Sequence, residues 1–423
     1  MATILENTQI IQANVNEMKE KLNLPSSTPL AEITNQTDSV YKYLDTIPAG
    51  TAKCPGMAQT FVQIPTTLKF ASDDASYAFY NLSNLTEYPK LDYSGLTKID
   101  YMFSGTKCSD IHDFVIPETV TSAKYLYQGC KFPAGTYNYN LPNITSLNDI
   151  FTGITVTDYT NTTFNIHIGP NCKTATSFFY NESTSSTSTS RKCPGYINLT
   201  ADEPVLINMT GAFKGIKSLK SLICDDNIKP TSLAQICHEN SYQGANIDYL
   251  EVNLDECTSM SEMFGTYTPK TIKFKGESRK VTSMYYLLYV GSTNSDALNR
   301  TTKIEGQLYG DSVTNLTSAF YYQKKLTDFT GIKNIGMAYT EPTEGYSKYT
   351  FSLSSCTELT HESLVSIIDN LYDLNISYGV YDAEGNPGEG VLYKQKLVLG
   401  ETNLAKLTEE EIAVATNKGW IVS

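Results

Sequence analysis

Charge is scarce in this chain, and positive charge scarcer still. Asp, Glu, Lys and Arg make up 18% of the 423 residues, with 45 acidic against 32 basic side chains and a formal net charge of −13. Soluble domains usually carry about a quarter, so the surface must be covered largely by Asn, Thr, Ser and Tyr. Wrapping nucleic acid needs clustered Lys and Arg, and no basic stripe is found. The same shortage disfavours anionic membrane surfaces. No apolar run approaches the roughly 18 residues that a spanning helix requires. The opening MATILENTQIIQANVNEMKEK has no basic start, apolar stretch or small-residue cleavage site. Export by the usual signal-peptide route is therefore not expected.

The residues of common catalytic sites are equally thin. The four histidines, His112, His167, His238 and His361, form no H-E-x-x-H motif, and no two are near in sequence. The nucleophile-elbow, P-loop and dinucleotide-binding glycine patterns are absent. Asp382-Ala-Glu384-Gly-Asn386 offers oxygen ligands, but not at the spacing of a calcium loop, and reads as a solvated hairpin turn. Nine cysteines include no C-x-x-C pair, and several sit on apolar repeat positions. They are expected to be small buried thiols rather than a disulfide or metal framework. No catalytic residue, metal or cofactor is expected. A carboxylate pair contributed by distant parts of the chain is the one enzymatic arrangement left open.

What is present is a repeat. An eight-residue segment recurs as LTKIDYMF from Leu96, VTSAKYLY from Val120, ITSLNDIF from Ile144 and CKTATSFF from Cys172. It continues as LINMTGAF from Leu206, PTSLAQIC from Pro230, CTSMSEMF from Cys257, VTSMYYLL from Val281 and VTNLTSAF from Val313, with a weaker first copy from Ser72. YSKYTFSL from Tyr346 is a doubtful last one. The fourth and seventh positions are apolar. The eighth is aromatic at Phe79, Phe103, Tyr127, Phe151, Phe179, Phe213, Phe264 and Phe320, with Cys237 and Leu288 in its place twice. This spacing suits one or two helical turns, with Thr at the second position as N-cap. Short β-prone runs follow at 113–117, 164–168, 249–254, 271–275 and 303–308.

One such unit cannot bury its own apolar side, whereas stacked units can. The expected fold is an α+β solenoid with a parallel sheet along one face, a rod roughly 50 Å long at ~4.8 Å per coil. Polar insertions at 181–195, 289–300 and 336–347 should loop out along an edge. Tyr285, Tyr286 and Tyr289 on one coil, with Tyr321 and Tyr322 on the next, are the candidate contact residues, since Tyr offers a ring and a hydroxyl at low entropic cost. Half-buried packing is the alternative role for them.

Four regions are expected: 1–45, 46–71, 72–356 and 357–423. In the first, Ile4, Ile11 and Met18 fall seven apart, with Val15 and Leu22 on the second seam. This is either an oligomerising helix pattern, with a trimer as the expected state, or an amphipathic helix lying on its own domain. A second helix is expected at about 30–45. Residues 46–71 should form a β cap on the first coil. The last region reads as a helix over 361–374, a hairpin, a Thr408–Glu411 capping box opening a short helix, Gly419 at its end, and a final strand after Trp420.

The units IPETVTSAKYLYQGC (116–130) and CTSMSEMFGTYTPKTIKF (257–274) resemble BspA-like leucine-rich repeats over about residues 72–355. The Gly-Cys that follows the aromatic in that family survives clearly only at Gly129-Cys130. The C-terminal region is similar to the endings of many such proteins encoded by bacteriophages and gut bacteria, and the PLAEIT helix resembles openings of phage fibre proteins. The resemblance implies a right-handed leucine-rich-repeat-like coil that binds rather than catalyses. It further implies a virion fibre assembled in the host cytoplasm, joined to other virion proteins through its N-terminal helices and displaying a face to a host glycan or protein. An adhesin exported by a nonclassical route and a glycan-cleaving spike are the alternatives.

Overall fold

The computed structural model describes residues 16, 70, 72–83, 85, 87–89, 91–180, 193–216, 218–238, 247–265, 268–290, 300–338, 350–374 and 395–423. They form a parallel-sheet β-solenoid of about nine turns. Its main sheet contains Gly135–Leu141, Thr162–Ile168, Tyr196–Thr200, Ser221–Cys224, Tyr249–Asn253, Thr271–Lys275, Lys303–Glu305 and Asp328–Phe329, adjacent in that order. Each strand lies one coil after its neighbour, as parallel pairing demands of a chain that must travel round to re-enter the sheet. Register keeps like with like: Ile272 sits between Leu250 and Ile304. Along Thr271–Lys275 burial alternates, with Ile272 and Phe274 inward and Thr271, Lys273 and Lys275 outward.

The repeated octapeptide is not a helical turn. Helix accounts for only about 10% of the structure, and the described α-helices beyond Asn16 lie in the C-terminal cap. At the sixth position the backbone enters the left-handed region in the ten copies from Ser72 to Val313: Tyr77, Tyr101, Tyr125, Asp149, Ser177, Gln235, Glu262, Tyr286 and Ser318 have φ between 50° and 63°, and Gly211 has 64°. In the segment from Tyr346 the sixth residue, Phe351, lies in a strand. A residue other than glycine pays about 1–2 kcal/mol for this. What it gains is a bond to the next coil. The sixth N–H donates to the fifth carbonyl one coil on: Tyr77 to Asp100 at 2.8 Å, Gln235 to Ser261 at 3.0 Å and Glu262 to Tyr285 at 2.7 Å. Fourth and eighth N–H groups do the same, as in Met260 to Ser283 and Phe213 to Ile236. Leaving such groups buried and unpaired costs about as much as the strain, so the stacked coil tolerates what an isolated one would not.

The Thr at the second position is not an N-cap. Its hydroxyl donates to the second-position carbonyl of the preceding coil, in Thr121 to Thr97, Thr145 to Thr121, Thr282 to Thr258 and Thr314 to Thr282. The capping role falls one residue later. Side-chain oxygens of Asp74, Ser146, Asn208, Ser232, Ser259, Ser283 and Asn315 accept from the N–H two residues on. Third positions of successive coils pair as parallel bridges, for example Asp74 with Lys98 and Lys98 with Ser122, and Ser259 with Ser283 and Ser283 with Asn315. The Ser, Thr and Asn richness of the chain is thus spent on coil geometry. In the copy at Leu206 the pairing slips: Ile207 is buried and Leu206 is 44% exposed, beside an irregularity at Ile207/Asn208.

The fourth, seventh and eighth side chains turn inward. Parallel stacking joins Phe79 to Phe103 (5.5 Å between centroids), Tyr127 to Phe151 (5.5 Å), Phe151 to Phe179 (5.0 Å) and Phe179 to Phe213 (5.6 Å). Phe264 and Phe320 occupy the same buried place further along. One cluster of buried residues runs from Ala75 to Trp420, so the cap shares the solenoid's core.

Two strand expectations fail. No strand forms at 113–117. A 3₁₀ turn covers Ile111–Asp113 and Val115 is 81% exposed. The strand of that part of the rod is Gly135–Leu141, where Tyr137, Tyr139 and Leu141 are buried between exposed Thr and Asn. The run 303–308 divides between two sheets, Lys303–Glu305 and Leu308–Tyr309. Gly306 makes the corner: its φ is +92°, and an added Cβ would fall 1.8 Å from the Phe274 carbonyl oxygen. The C-terminal helix is shorter than expected, His361–Asp369, capped by Thr360. The capping box of Thr408 and Glu411 is present, with Gly419 in the left-handed region. Lys396–Val398 pairs in parallel with Thr350–Ser352 and with Ile421–Val422. Ile4, Ile11, Val15, Met18 and Leu22, the helix at 30–45, the β cap and the loop at 382–386 lie outside the described residues, as do most of the three insertions.

Candidate functional site

The coil geometry determines which side chains reach the surface of the solenoid. Because each sixth residue is held in the same backbone conformation, its side chain emerges at the same place in every coil. All ten sixth positions are half-buried. Three coil spacings therefore carry Tyr77, Tyr101, Tyr125 and Asp149 in one file.

Tyrosines collect at both ends of this column. At the C-terminal end, Tyr285 stacks on Tyr286 (4.1 Å, 13°), Tyr286 on Tyr289 (4.3 Å, 14°) and Tyr289 on Tyr321 (5.4 Å, 16°), with Tyr322 tilted beside Tyr321 at 6.0 Å. The five tyrosines singled out from the sequence are thus brought together. Lys324 Nζ lies 4.6 Å from the Tyr322 ring centre. At the N-terminal end sequence reasoning missed a second group. Tyr77 stacks on Tyr101 (4.7 Å, 8°), Tyr101 approaches Tyr125 at 4.7 Å, and Tyr80 meets Tyr77 and Tyr101 edge-on. The signal was available, since Tyr77, Tyr101, Tyr125 and Tyr286 share the sixth position, and Tyr80, Tyr289 and Tyr321 the ninth.

Stacking covers ring faces and leaves the edges of these half-buried rings. Burial, with the neighbouring phenols Tyr125 and Tyr77, pushes the Tyr101 hydroxyl up to about 12. Tyr289 is raised by burial too, and Tyr285 chiefly by its bond with Tyr286. These hydroxyls therefore stay protonated, able to donate and accept, through neutral pH. The column between the stations is polar. Burial raises the Asp149 carboxyl against the pull of Thr152, Lys124 and Tyr125. Gln235 Nε2 donates to Glu262 at 2.5 Å, and its Oε1 accepts from Lys214 Nζ at 3.3 Å.

The outward face of the main sheet is a second surface. Asn198 donates to Asn165 and Asn165 to Asn138, each at 2.8 Å, an amide ladder over three strands. Further along, Glu251 accepts from Tyr249 at 2.5 Å and faces Lys273 (3.3 Å) and Lys275 (3.1 Å), and Lys275 also reaches Asp226 at 2.8 Å. Glu251 and Glu305 are aligned on either side of Lys273, about two strand spacings or ~9.6 Å apart. That approaches the separation of an inverting glycosidase pair, which needs one carboxyl raised in pKa. Burial would raise Glu251, but hydrogen bonds from Tyr249, Lys275 and Lys273 hold it below the usual range, and Glu305 is ion-paired with Lys303 at 3.0 Å. The arrangement suits a compensated charge network.

Each histidine is near a carboxylate: His112 with Asp113, His167 with Asp202, His238 with Glu262 and His361 with Glu411. Among the described residues no group of three or more His, Cys, Asp or Glu is placed to hold a metal ion. The eight described cysteines are buried. Burial pushes Cys130, Cys172, Cys193, Cys224, Cys257 and Cys356 up to about 12 and Cys237 beyond. Their thiolates are too scarce for nucleophilic chemistry. No helix among the described residues is long and apolar enough to cross a membrane.

Comparison with family models, with curated proteins and with solved structures finds no match for this chain.

Proposed function

We propose that this protein is a display rod, a tail or head fibre of a bacteriophage virion, whose solenoid presents the tyrosine-flanked column to a host surface glycan or protein. The observation that carries the reading is the column itself: ten repeat copies each hold one half-buried residue in a fixed backbone conformation, with aromatic stations at both ends. Regular, pre-ordered surfaces bind at low entropic cost. The phage assignment draws on the resemblance of the repeats and the C-terminal end to leucine-rich-repeat proteins encoded by bacteriophages and gut bacteria, and of the N-terminal end to the openings of phage fibre and tail proteins. Ile4, Ile11, Val15, Met18 and Leu22 would associate copies, as a trimer, and join other virion proteins. The same repeats in a bacterial adhesin are the second reading.

The test is direct. Fluorescently labelled full-length protein is mixed with a panel of bacterial isolates from the community in which it occurs, and cell-bound signal is read by flow cytometry. Saturable binding to at least one isolate is expected. Absence of binding to all of them overturns attachment. Labelling by antibody on intact virions, or on uninfected cells, separates fibre from adhesin.

A further inference from the structure

The stacking geometry carries the attachment reading one step further, to the chemistry of the ligand. We propose that the sixth-position column is a track for an uncharged linear polysaccharide lying parallel to the rod, held by the hydroxyls and ring edges of its tyrosines rather than by their faces.

Four observations favour this. First, rings parallel at 4.1–4.7 Å cover one another, so the sugar-on-ring platform of an isolated exposed aromatic is largely closed. What the stacks leave at the surface is a row of half-buried ring edges and phenol groups, followed between the stations by the polar side chains of Asp149, Gln235 and Glu262, the last two bonded to each other. A polymer that offers a hydroxyl at every residue matches such a row. Second, the column carries carboxylates on a chain of net charge −13, which repels anionic polymers. Third, a protein partner would want a central cluster of desolvated apolar anchors. Among the described residues the large exposed hydrophobics, Val115, Tyr196, Leu206, Tyr321 and Ile421, are scattered along the chain. Fourth, Tyr101 and Tyr286 lie seven coils apart, roughly 34 Å at one strand spacing per coil. Only an extended chain reaches both, and one that does gains affinity from the second station without any new chemistry.

This inference rests on the attachment reading, and the two can fail separately. The full chain is applied to an array of uncharged linear glycans: β-glucan, α-glucan, mannan, galactan and chitin fragments of graded length. Binding to at least one is expected, tightening once fragments exceed the inter-station distance. Tyr101→Phe and Tyr286→Phe keep the stacks and remove one hydroxyl each. Each should weaken long fragments roughly three- to tenfold, and a short fragment should respond to only one of them. Circular dichroism and thermal melting serve as the folding control. No binding across the array overturns the proposal, and so does unchanged affinity of folded Phe variants, which would mean that ring faces do the work. Cell attachment abolished by protease but not by periodate would retain attachment and exclude the glycan.

Discussion

Replacing Phe151 by Ala tests how much of the rod is held by its inner aromatic column. Phe151 is fully buried. Its ring lies parallel to Tyr127 and Phe179 and meets Phe164 (5.1 Å), Tyr139 (5.1 Å) and Phe178 (5.5 Å) at steeper angles. Truncating a buried Phe costs about 3–5 kcal/mol. Aromatic pairs contribute about 0.5–1.5 kcal/mol beyond area, which puts this site at the top of that range. The loss is comparable to the lower end of total domain stability, about 5 kcal/mol. Because coils interact mainly with their neighbours, the cost falls on one interface and can uncouple the coils on either side. Urea titration followed by circular dichroism and tyrosine fluorescence reads both effects. With a slope of roughly 3 kcal/mol per molar, the midpoint should fall by about 1.5 M, or the transition should split in two. Phe151→Leu, which keeps most of the volume, should cost about 1.5 kcal/mol or less. A Phe151→Ala protein that unfolds in one transition within about 0.3 M of the parent would refute the column as the stabilising element.

Two further outcomes follow from the backbone and the thiols. Gly211 sits at φ +64° with nothing nearer than 3.9 Å to an added Cβ, so Gly211→Ala should cost about 1 kcal/mol of pure backbone strain, read by thermal melting. Seven cysteines have folded-state pKa values far above the unfolded 9.0. The folded chain therefore holds more protons than the unfolded one above pH 9, and stability falls as pH rises. The slope is about 1.4 kcal/mol per pH unit for each thiol. A steep alkaline unfolding transition beginning near pH 9, with thiolate absorbance appearing together with loss of circular dichroism, is expected. Thiolate absorbance rising ahead of unfolding would contradict the burial.

The apolar positions were legible because burial selects residue type: fourth, seventh and eighth side chains face the core, and the sequence displays that requirement. The sixth position was not, because its left-handed backbone is stabilised by a bond from its own N–H to the next coil. That bond makes no demand on the side chain, so Tyr, Asp, Ser, Gln, Glu and Gly all serve. The helical reading of the octapeptide failed for this reason. The strand expected at 113–117 rested on Val115 and Ile116, but the chain there leaves a 3₁₀ turn and meets Pro117, and Val115 faces water. The strand over Gly135–Leu141 was hidden by its Asn and Gly content, although Tyr137, Tyr139 and Leu141 alternate as a half-buried strand should. Within the candidate site, Tyr285, Tyr286 and Tyr289 stood out because they crowd one coil. Tyr77, Tyr101 and Tyr125 are a coil apart, and only alignment by register unites them.

Distances along the sixth-position column test the account most directly. In a Cys54→Ser chain, spin labels are placed in pairs at Tyr77, Ser177, Tyr286 and Ser318 through substitution to Cys, the described native thiols being buried. Pulsed dipolar spectroscopy should give roughly 19 Å for 177 with 286, 24 Å for 177 with 318 and 43 Å for 77 with 318, one strand spacing for each coil. Separations that do not grow with the number of intervening coils would contradict a single continuous stack and the face it is held to display.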